Sequence, residues 1–355
     1  MAINRRQFVS GLGAAGLAGF AGCTGNGGGG GGGDEAAANI GMVYATGGLG
    51  DGSFNDQAQT GIQQAEEELD ISYDEVQPEE VSDFSNLQQQ FAQSTNPDYD
   101  LVSCIGFLQA DALSETAAEY PEQSFQIVDS VVDADNVASY VFAEHEGSFL
   151  VGQMAGLLTG MEFEAGAGAT RPDSTNVGFV GGVESDLIQK FEAGFIAGAK
   201  HASEDVDVQT SYVGDFNDPS GGKEAALSMY NSGADIVYHA AGNTGTGVFD
   251  AAQEQGRFAI GVDRDQSVTA ESYADVILAS MVKRVDTAVY NAVEETVNDE
   301  FEGGRTVPLG LEEEGVACVY GQDLESQIPQ DVKDAVASTR EEIIAGDIDV
   351  PDSPQ

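Results

Sequence analysis

The chain has few cations. Lysine and arginine together number 13, against 61 aspartates and glutamates in 355 residues, for a formal charge of −48. Proteins that grip nucleic acid or anionic lipid headgroups neutralise phosphates with Lys and Arg, so both partner classes are excluded. The acid is spread along the chain rather than gathered in a tail. Self-repulsion on that scale strains a compact fold in dilute buffer, whereas near molar salt the screening length falls to about 3 Å. The expected source is therefore halophilic. A single carboxylate in such a chain reads first as a solvated surface group. Each scarce lysine carries more weight, above all Lys223 and Lys283, which sit inside polar motifs.

Catalytic and metal-binding patterns are scarce too. There are three histidines, His145, His201 and His239, and none shares a metal-ligand spacing with another His or Cys. No G-x-S-x-G nucleophile elbow occurs. Paired carboxylates are plentiful, but in so acidic a chain they carry no information. The expectation is a protein with no catalytic residue, no metal and no cofactor, with a glycosidase or nucleoside hydrolase as the weakest alternative. Cys104 in LVSCIG and Cys318 in VACVY read as buried small hydrophobes, and no disulfide between them is expected.

Long apolar runs are missing as well. The run that follows Arg5 and Arg6 in MAINRRQFVSGLGAAGLAGFAGC falls short of the roughly 20 residues a comfortable membrane span needs. A twin arginine, a modest apolar stretch and small residues before Cys23 make a Tat export signal. The ending Phe-Ala-Gly-Cys resembles a lipobox, in which the cysteine becomes the lipidated first residue. The glycine-rich TGNGGGGGGGDEAAA that follows is a flexible tether. The expected product is anchored by lipid alone to the outer face of the cytoplasmic membrane.

From residue 39 short apolar runs alternate with helical patterns, the signature of α/β architecture with parallel sheets. NIGMVYA, ISYDEV, LVSCIG and SFQIVDS form a first strand series, with helices around 56 to 69, 83 to 95 and 111 to 120. VASYVF and the helix EGSFLVGQMAGLLTG come next. After the polar loop EFEAGAGATRPDST a second series follows: NVGFVGG, VQTSYVGD, DIVYHAA and FAIGVD. Two such halves imply two hinged lobes with a ligand cleft between them. The expected layout is signal 1–23, tether 24–38, lobe 1 from 39–142 with 268–306, lobe 2 from 143–267 with 307–345, and a flexible tail 346–355.

GGLGDGSFND, at residues 47 to 56, links the first strand to a helix. The spacing of Gly48, Gly50 and Gly52 is not G-x-G-x-x-G, no Gly-Lys-Ser/Thr follows, and Asp51 and Asp56 repel an anion. A neutral polar ligand fits better, offering hydroxyls or amides to Asn55 and Asp56 and a flat face to Phe54. Phe54 beside glycines, and Phe216 between Asp215 and Asn217, are awkward as core. Phe191 and Phe195 at helical spacing read as core packing. Asp111 could cap a helix, and Asp263 and Asp265 could form a surface pair with Arg264 worth under ~1 kcal/mol. Lys223 belongs to a helix first turn or a lobe surface.

GSFND, GFLQADAL, EGSFLVGQMAGLL, VGFVGGVESDLIQKFEAGFIAGAK, VGDFNDPSGGKEAAL, ADIVYHAAGNTGTGV, AIGVDRDQ and LASMVKRVDTAVY, in this order, resemble the basic-membrane-protein family. These are purine-nucleoside-receptor-like substrate-binding lipoproteins of ABC transporters. The resemblance spans about residues 39 to 320 and, with the charge, is of a haloarchaeal kind. It implies a two-lobed periplasmic-binding-protein-like fold of type I that acts as a monomer, closes on a nucleoside, purine in preference, and passes it to permease subunits. It further implies that Phe54 and Phe216 sandwich the base, that Asn55, Asp56 and Asp111 contact the base edge, and that Asp263 takes two ribose hydroxyls. Lys283 would donate to a ribose oxygen and offset Asp263, and Gly242 would let backbone approach the sugar. Two departures bear on base selectivity: Ala45-Thr46 stand where the family often has an acidic residue, and Gly52 replaces the usual lysine before Ser-Phe-Asn. Rival readings are a receptor for a sugar or furanose signal, and a structural surface protein that binds nothing.

Overall fold

A computed structural model describes residues 36–354. The expected signal, Cys23 and most of the expected tether lie outside the described residues. Strand β1 (Asn39–Val43) is followed by helix α1 (Phe54–Leu69), β2 (Ser72–Val76), α2 (Phe84–Ala92), β3 (Leu101–Ile105), α3 (Ala110–Glu119), β4 (Ser124–Val128) and β5 (Val137–Phe142). β3 is buried at every position, because helices cover both faces of a parallel sheet and leave no room for polar alternation. β2 alternates differently: SYDEV is exposed or half-buried throughout, and its acids guard a sheet edge against pairing with another chain.

Helix α4 (Glu144–Thr159) leads into the second half. It is apolar and buried almost all round, as expected of a helix inside a core rather than on a surface. Next come the two-residue strands β6 (Glu164–Ala165) and β7 (Gly168–Ala169), then β8 (Asn176–Gly181), α5 (Asp186–Ala202), β9 (Asp207–Tyr212), α6 (Pro219–Asn231), β10 (Ala234–Ala240), α7 (Thr246–Gln255) and β11 (Phe258–Asp263). α4 and α5 pack backbone to backbone. A Cβ on Gly152 would lie 2.3 Å from the Phe195 carbonyl oxygen, and one on Gly198 would lie 2.0 Å from that of Phe149. The polar stretch 162 to 175 is not an open loop: β6 and β7 pair antiparallel, and the Arg171 guanidinium donates to the carbonyls of Ala234 at 2.8 Å and Tyr230 at 3.0 Å.

The chain ends with α8 (Gln266–Thr269), β12 (Ile277–Lys283), α9 (Val285–Val297), β13 (Arg305–Leu309), β14 (Val316–Tyr320) and α10 (Gln330–Ile344). The two large sheets run β2-β1-β3-β4-β5-β13 and β9-β8-β10-β11-β12-β14, so the lobes repeat one strand order. They differ at the last strand, which is parallel in the first sheet and antiparallel in the second.

Strand allotment near the C-terminus differs from the expected layout. β12, expected in lobe 1 within 268–306, pairs with β11 and β14 of the second sheet. α8 is a short crossover, and a strand leaving it finds the free edge of its own sheet first. β13, at the junction of 306 and 307, joins β5 in the first sheet. α9 does return to lobe 1, where Gln126 donates to the Ala288 carbonyl at 2.7 Å. The chain therefore passes between sheets after β5, after β12 and after β13. The stretch expected as a flexible tail docks instead, since Val350 is buried in the main core. Cys104 in β3 and Cys318 in β14 are free thiols on different sheets. No helix among the described residues is long and apolar enough to cross a membrane.

Candidate functional site

A strand order of 2-1-3-4-5 switches direction between its first and third strands, and ligands gather beyond the carboxyl ends there. Both sheets meet the rule at a single cavity of about 660 Å³, counting its open mouth. Lobe 1 contributes the ends of β1, β3 and β4, and lobe 2 those of β10, β11 and β12. Of the residues picked from sequence, Phe54, Asn55, Phe216, Gly242, Asp263 and Lys283 line it.

The glycine turn is built to hold Phe54. Asp51 is buried and accepts from the backbone N–H groups of Ser53, Asn55 and Asp56 and from the Asn55 amide at 2.9 to 3.2 Å. Burial pushes its carboxyl up, against those backbone hydrogen bonds. The Asn55 carbonyl oxygen accepts from Ala45 N–H at 2.9 Å, pinning α1 to the end of β1. Phe216 comes from the other lobe. A Cβ on Gly182 would stand 2.3 Å from its ring, so the ring packs where only a glycine leaves room. Gly242, at φ +55, takes a left-handed conformation open to glycine without strain.

Two members of the expected set lie elsewhere. Asp56 is outside the lining; its carboxylate accepts from Gly50 N–H at 2.7 Å and Gly52 N–H at 2.9 Å, which closes the turn. Asp111 is exposed in the first turn of α3, because Leu113, Thr116 and Ala117 turn the opposite side of that helix into the core. There it complements the helix dipole.

The charged end of the cavity is the part that sequence reasoning found only in part. Lys283, 2% exposed, donates to Asp129 at 2.7 Å and lies 3.7 Å from Glu144. Its ammonium also sits over the rings of Phe54 at 4.8 Å, Phe191 at 5.3 Å and Phe142 at 5.4 Å, a cation–π cage worth about 2 kcal/mol or more when dry. Burial draws the Lys283 ammonium down, but Asp129, Glu144 and Asp263 outweigh it and the net direction is up. Asp263 is pushed up to about 6 by burial, against Lys283 and a hydrogen bond from the Ser53 hydroxyl that crosses the cleft. Glu144, with no exposed side-chain surface, is pushed up to about 7 by burial, against Lys283 and Lys190.

Asp129 and Glu144 were not anticipated, and Asp129 left a trace in the sequence. β4 and β11 hold the same place in their sheets, SFQIVDS and FAIGVD both run into Val-Asp, and both aspartates have positive φ, +71 and +63. Such backbone is uncommon outside glycine and collects where a side chain must be aimed. Phe191 packs in the core as expected and also lines the cavity. His239 is buried and, through Nε2, shares a hydrogen bond with Gln266 at 3.0 Å; burial holds its imidazole down at about 4. Among the described residues no group of three or more His, Cys, Asp or Glu could hold a metal ion.

Paired α/β lobes of one strand order, with a cleft beyond their strand ends, define a two-lobed periplasmic-binding-protein-like fold of type I. A solved solute-binding protein of an ABC transporter system from Aeropyrum pernix superimposes with a TM-score of 0.77 at 28% identity, covering 88% of this chain and 94% of that one. Residues 38–354 match the family model Bmp, described as ABC transporter substrate-binding protein PnrA-like, and the chain belongs to that family. It is similar to the ABC transporter nucleoside-binding protein BmpA of Lactococcus lactis, at 34% identity over 87% of this chain and 88% of that protein. It is also similar to an uncharacterized lipoprotein of Pyrococcus abyssi, at 35% identity over 78% of this chain and 68% of that protein. The chain is thus an ABC transporter substrate-binding protein.

Proposed function

We propose that this protein is a lipid-anchored extracytoplasmic receptor that captures a nucleoside, purine in preference, and delivers it unchanged to an ABC importer. One observation carries the reading: an aromatic ring from each lobe, Phe54 and Phe216, lines the cavity that also holds Asp263 and Lys283. A planar heterocycle between the rings and a pentose diol at the charged end use both kinds of surface. The name of the Lactococcus relative supports the ligand class. The Pyrococcus relative supports the lipid anchor that the Cys23 sequence suggests, and the twin arginine supports Tat export. The excess of acid over base supports a high-salt habitat.

The mechanism is closure about the three connections between the sheets. Each lobe holds part of the ligand, and their joint contacts shift an open–closed equilibrium. Ser53 to Asp263 and Lys283 to Asp129 already join the lobes across the cleft. Within this reading Asn55 braces the turn that carries Phe54, Gly242 gives the sugar access to backbone, and Asp129 fixes Lys283.

The test is Asp263→Ala in titrations at high salt. Hydrogen bonds from hydroxyls to a carboxylate are worth about 1.5–3 kcal/mol each, so ribonucleosides should lose at least that much while 2′,3′-dideoxy analogues lose little. Equal losses for both remove the diol role. Binding of free ribose or galactose as tight as that of guanosine favours a sugar receptor instead.

A further inference from the structure

A contact between the lobes lies outside the cavity lining. The Gly52 carbonyl, in the turn of lobe 1, accepts from the Gln266 side-chain amide at 3.3 Å and from the Thr269 hydroxyl at 3.3 Å, both on α8 of lobe 2. A carbonyl oxygen has two lone pairs, and here both are taken by the opposite lobe. Gly52, Gln266 and Thr269 do not line the cavity, whereas Phe54 and Asp263, close to them in sequence, do. The contact therefore ties together the segments that carry those two side chains without itself facing a ligand.

Gln266 is aimed at Gly52 by its own lobe. It is buried, and its backbone N–H donates to the Ser280 hydroxyl of β12 at 3.0 Å. Its side-chain oxygen accepts from the Val262 backbone N–H at 2.8 Å. A backbone N–H can only donate, so this contact fixes which end of the amide is oxygen and turns the nitrogen toward lobe 1. The same oxygen meets His239 Nε2 at 3.0 Å, so Nε2 carries the ring proton and donates it to Gln266. His239 Nδ1 is buried without a partner, which makes Gln266 the one hydrogen-bond partner of that ring among the described residues. Glycines make room for both side chains: a Cβ on Gly261 would lie 2.7 Å from the Gln266 oxygen, and one on Gly245 would lie 2.0 Å from His239 Cε1.

We propose that His239 and Gln266 are positioning residues for closure: together they hold an amide N–H against the Gly52 carbonyl, and so set how tightly the lobes close on a nucleoside that neither residue touches. The ligand named here rests on the nucleoside reading. Opening of the lobes separates α8 from the Gly52 turn, so the clasp belongs to the closed form. A contact of that kind shifts the open–closed equilibrium by its own free energy and scales the apparent affinity of every ligand of the closed form by one factor. A side chain that touched the ligand would instead discriminate between ligands.

The test is calorimetric titration of Gln266→Leu at high salt with guanosine and with inosine, which differ in one amino group. Both dissociation constants should rise about fivefold, the change expected for one neutral hydrogen bond, with their ratio unchanged. His239→Leu added to Gln266→Leu should leave both constants where they are, because it acts through the amide, while the unfolding midpoint falls. Thr269→Val removes the second donor from an exposed position and serves if Gln266→Leu does not fold; both nucleosides should then weaken by about twofold. Unchanged affinity in the folded variant overturns the proposal. Losses that differ more than about threefold between the two nucleosides make Gln266 a ligand contact and overturn it as well. Either result leaves the nucleoside reading intact, whereas a parent protein that binds neither nucleoside overturns both.

Discussion

The turn at Asp51 and the cluster at Lys283 are both buried and polar, yet they are built on opposite plans. In the turn one carboxylate meets backbone N–H groups from residues two to five positions away. In the cluster one ammonium faces Asp129, Glu144 and Asp263, drawn from distant parts of the chain. The turn is complete in itself and serves as a rigid seat for Phe54. The cluster retains capacity: one oxygen of Asp129, which lines the cavity, is buried without a hydrogen bond, while Glu144 stands behind the lining with its oxygens 3.7 Å from Lys283 and 3.8 Å from Lys190. Buried polar groups of that kind are costly to leave unpaired, so what the difference teaches is where ligand polarity belongs.

The largest expected effect tests the cluster. Lys283→Met leaves three buried acids without their shared cation, and removing one partner of a buried ion pair costs about 3–5 kcal/mol. Urea unfolding should show a loss of that size at pH 8 and a smaller one at pH 5.5. The sign follows from Glu144, whose folded value of about 7 lies above the ordinary carboxylate range. Lys283 draws Glu144 and Asp263 down, so its removal raises both carboxyls further; they then bind protons more tightly folded than unfolded, and falling pH stabilises the variant more than the parent. A loss that did not depend on pH would contradict the picture of an acid cluster held together by Lys283.

Phe216→Ala probes the ring side. Stacking of a base on an aromatic side chain is worth about 1–3 kcal/mol, so every nucleoside should weaken by a similar amount while unfolding stability changes less. Unchanged affinity would reject Phe216 as a platform. The smallest effect is expected at Asp111, which is exposed on α3. Asp111→Ala should alter guanosine affinity by less than about 0.5 kcal/mol. A large loss would return Asp111 to the site.

Much of the fold could be read in advance because its signals are local. Each buried strand announces itself as a short apolar run, and each helix by its period, so the strands of both series fall where the apolar runs placed them. Phe54 and Phe216 stood out for the same reason, as large apolar side chains among glycine, Asp and Asn. The lobe assignment of β12 and β13 was not local. It depends on which sheet edge is free once the earlier strands have paired, and on the returns of the chain between the lobes.

The sequence by itself determined the alternating α/β architecture, the poverty of cations that makes one buried lysine conspicuous, and the rule that chemistry sits at strand ends. Tertiary structure decided which carboxylate that lysine meets. Lys283 and Asp129 are 154 positions apart and Ser53 and Asp263 are 210 apart. Contacts at such separations are fixed by strand order and by how the lobes face each other, and no spacing along the chain encodes them.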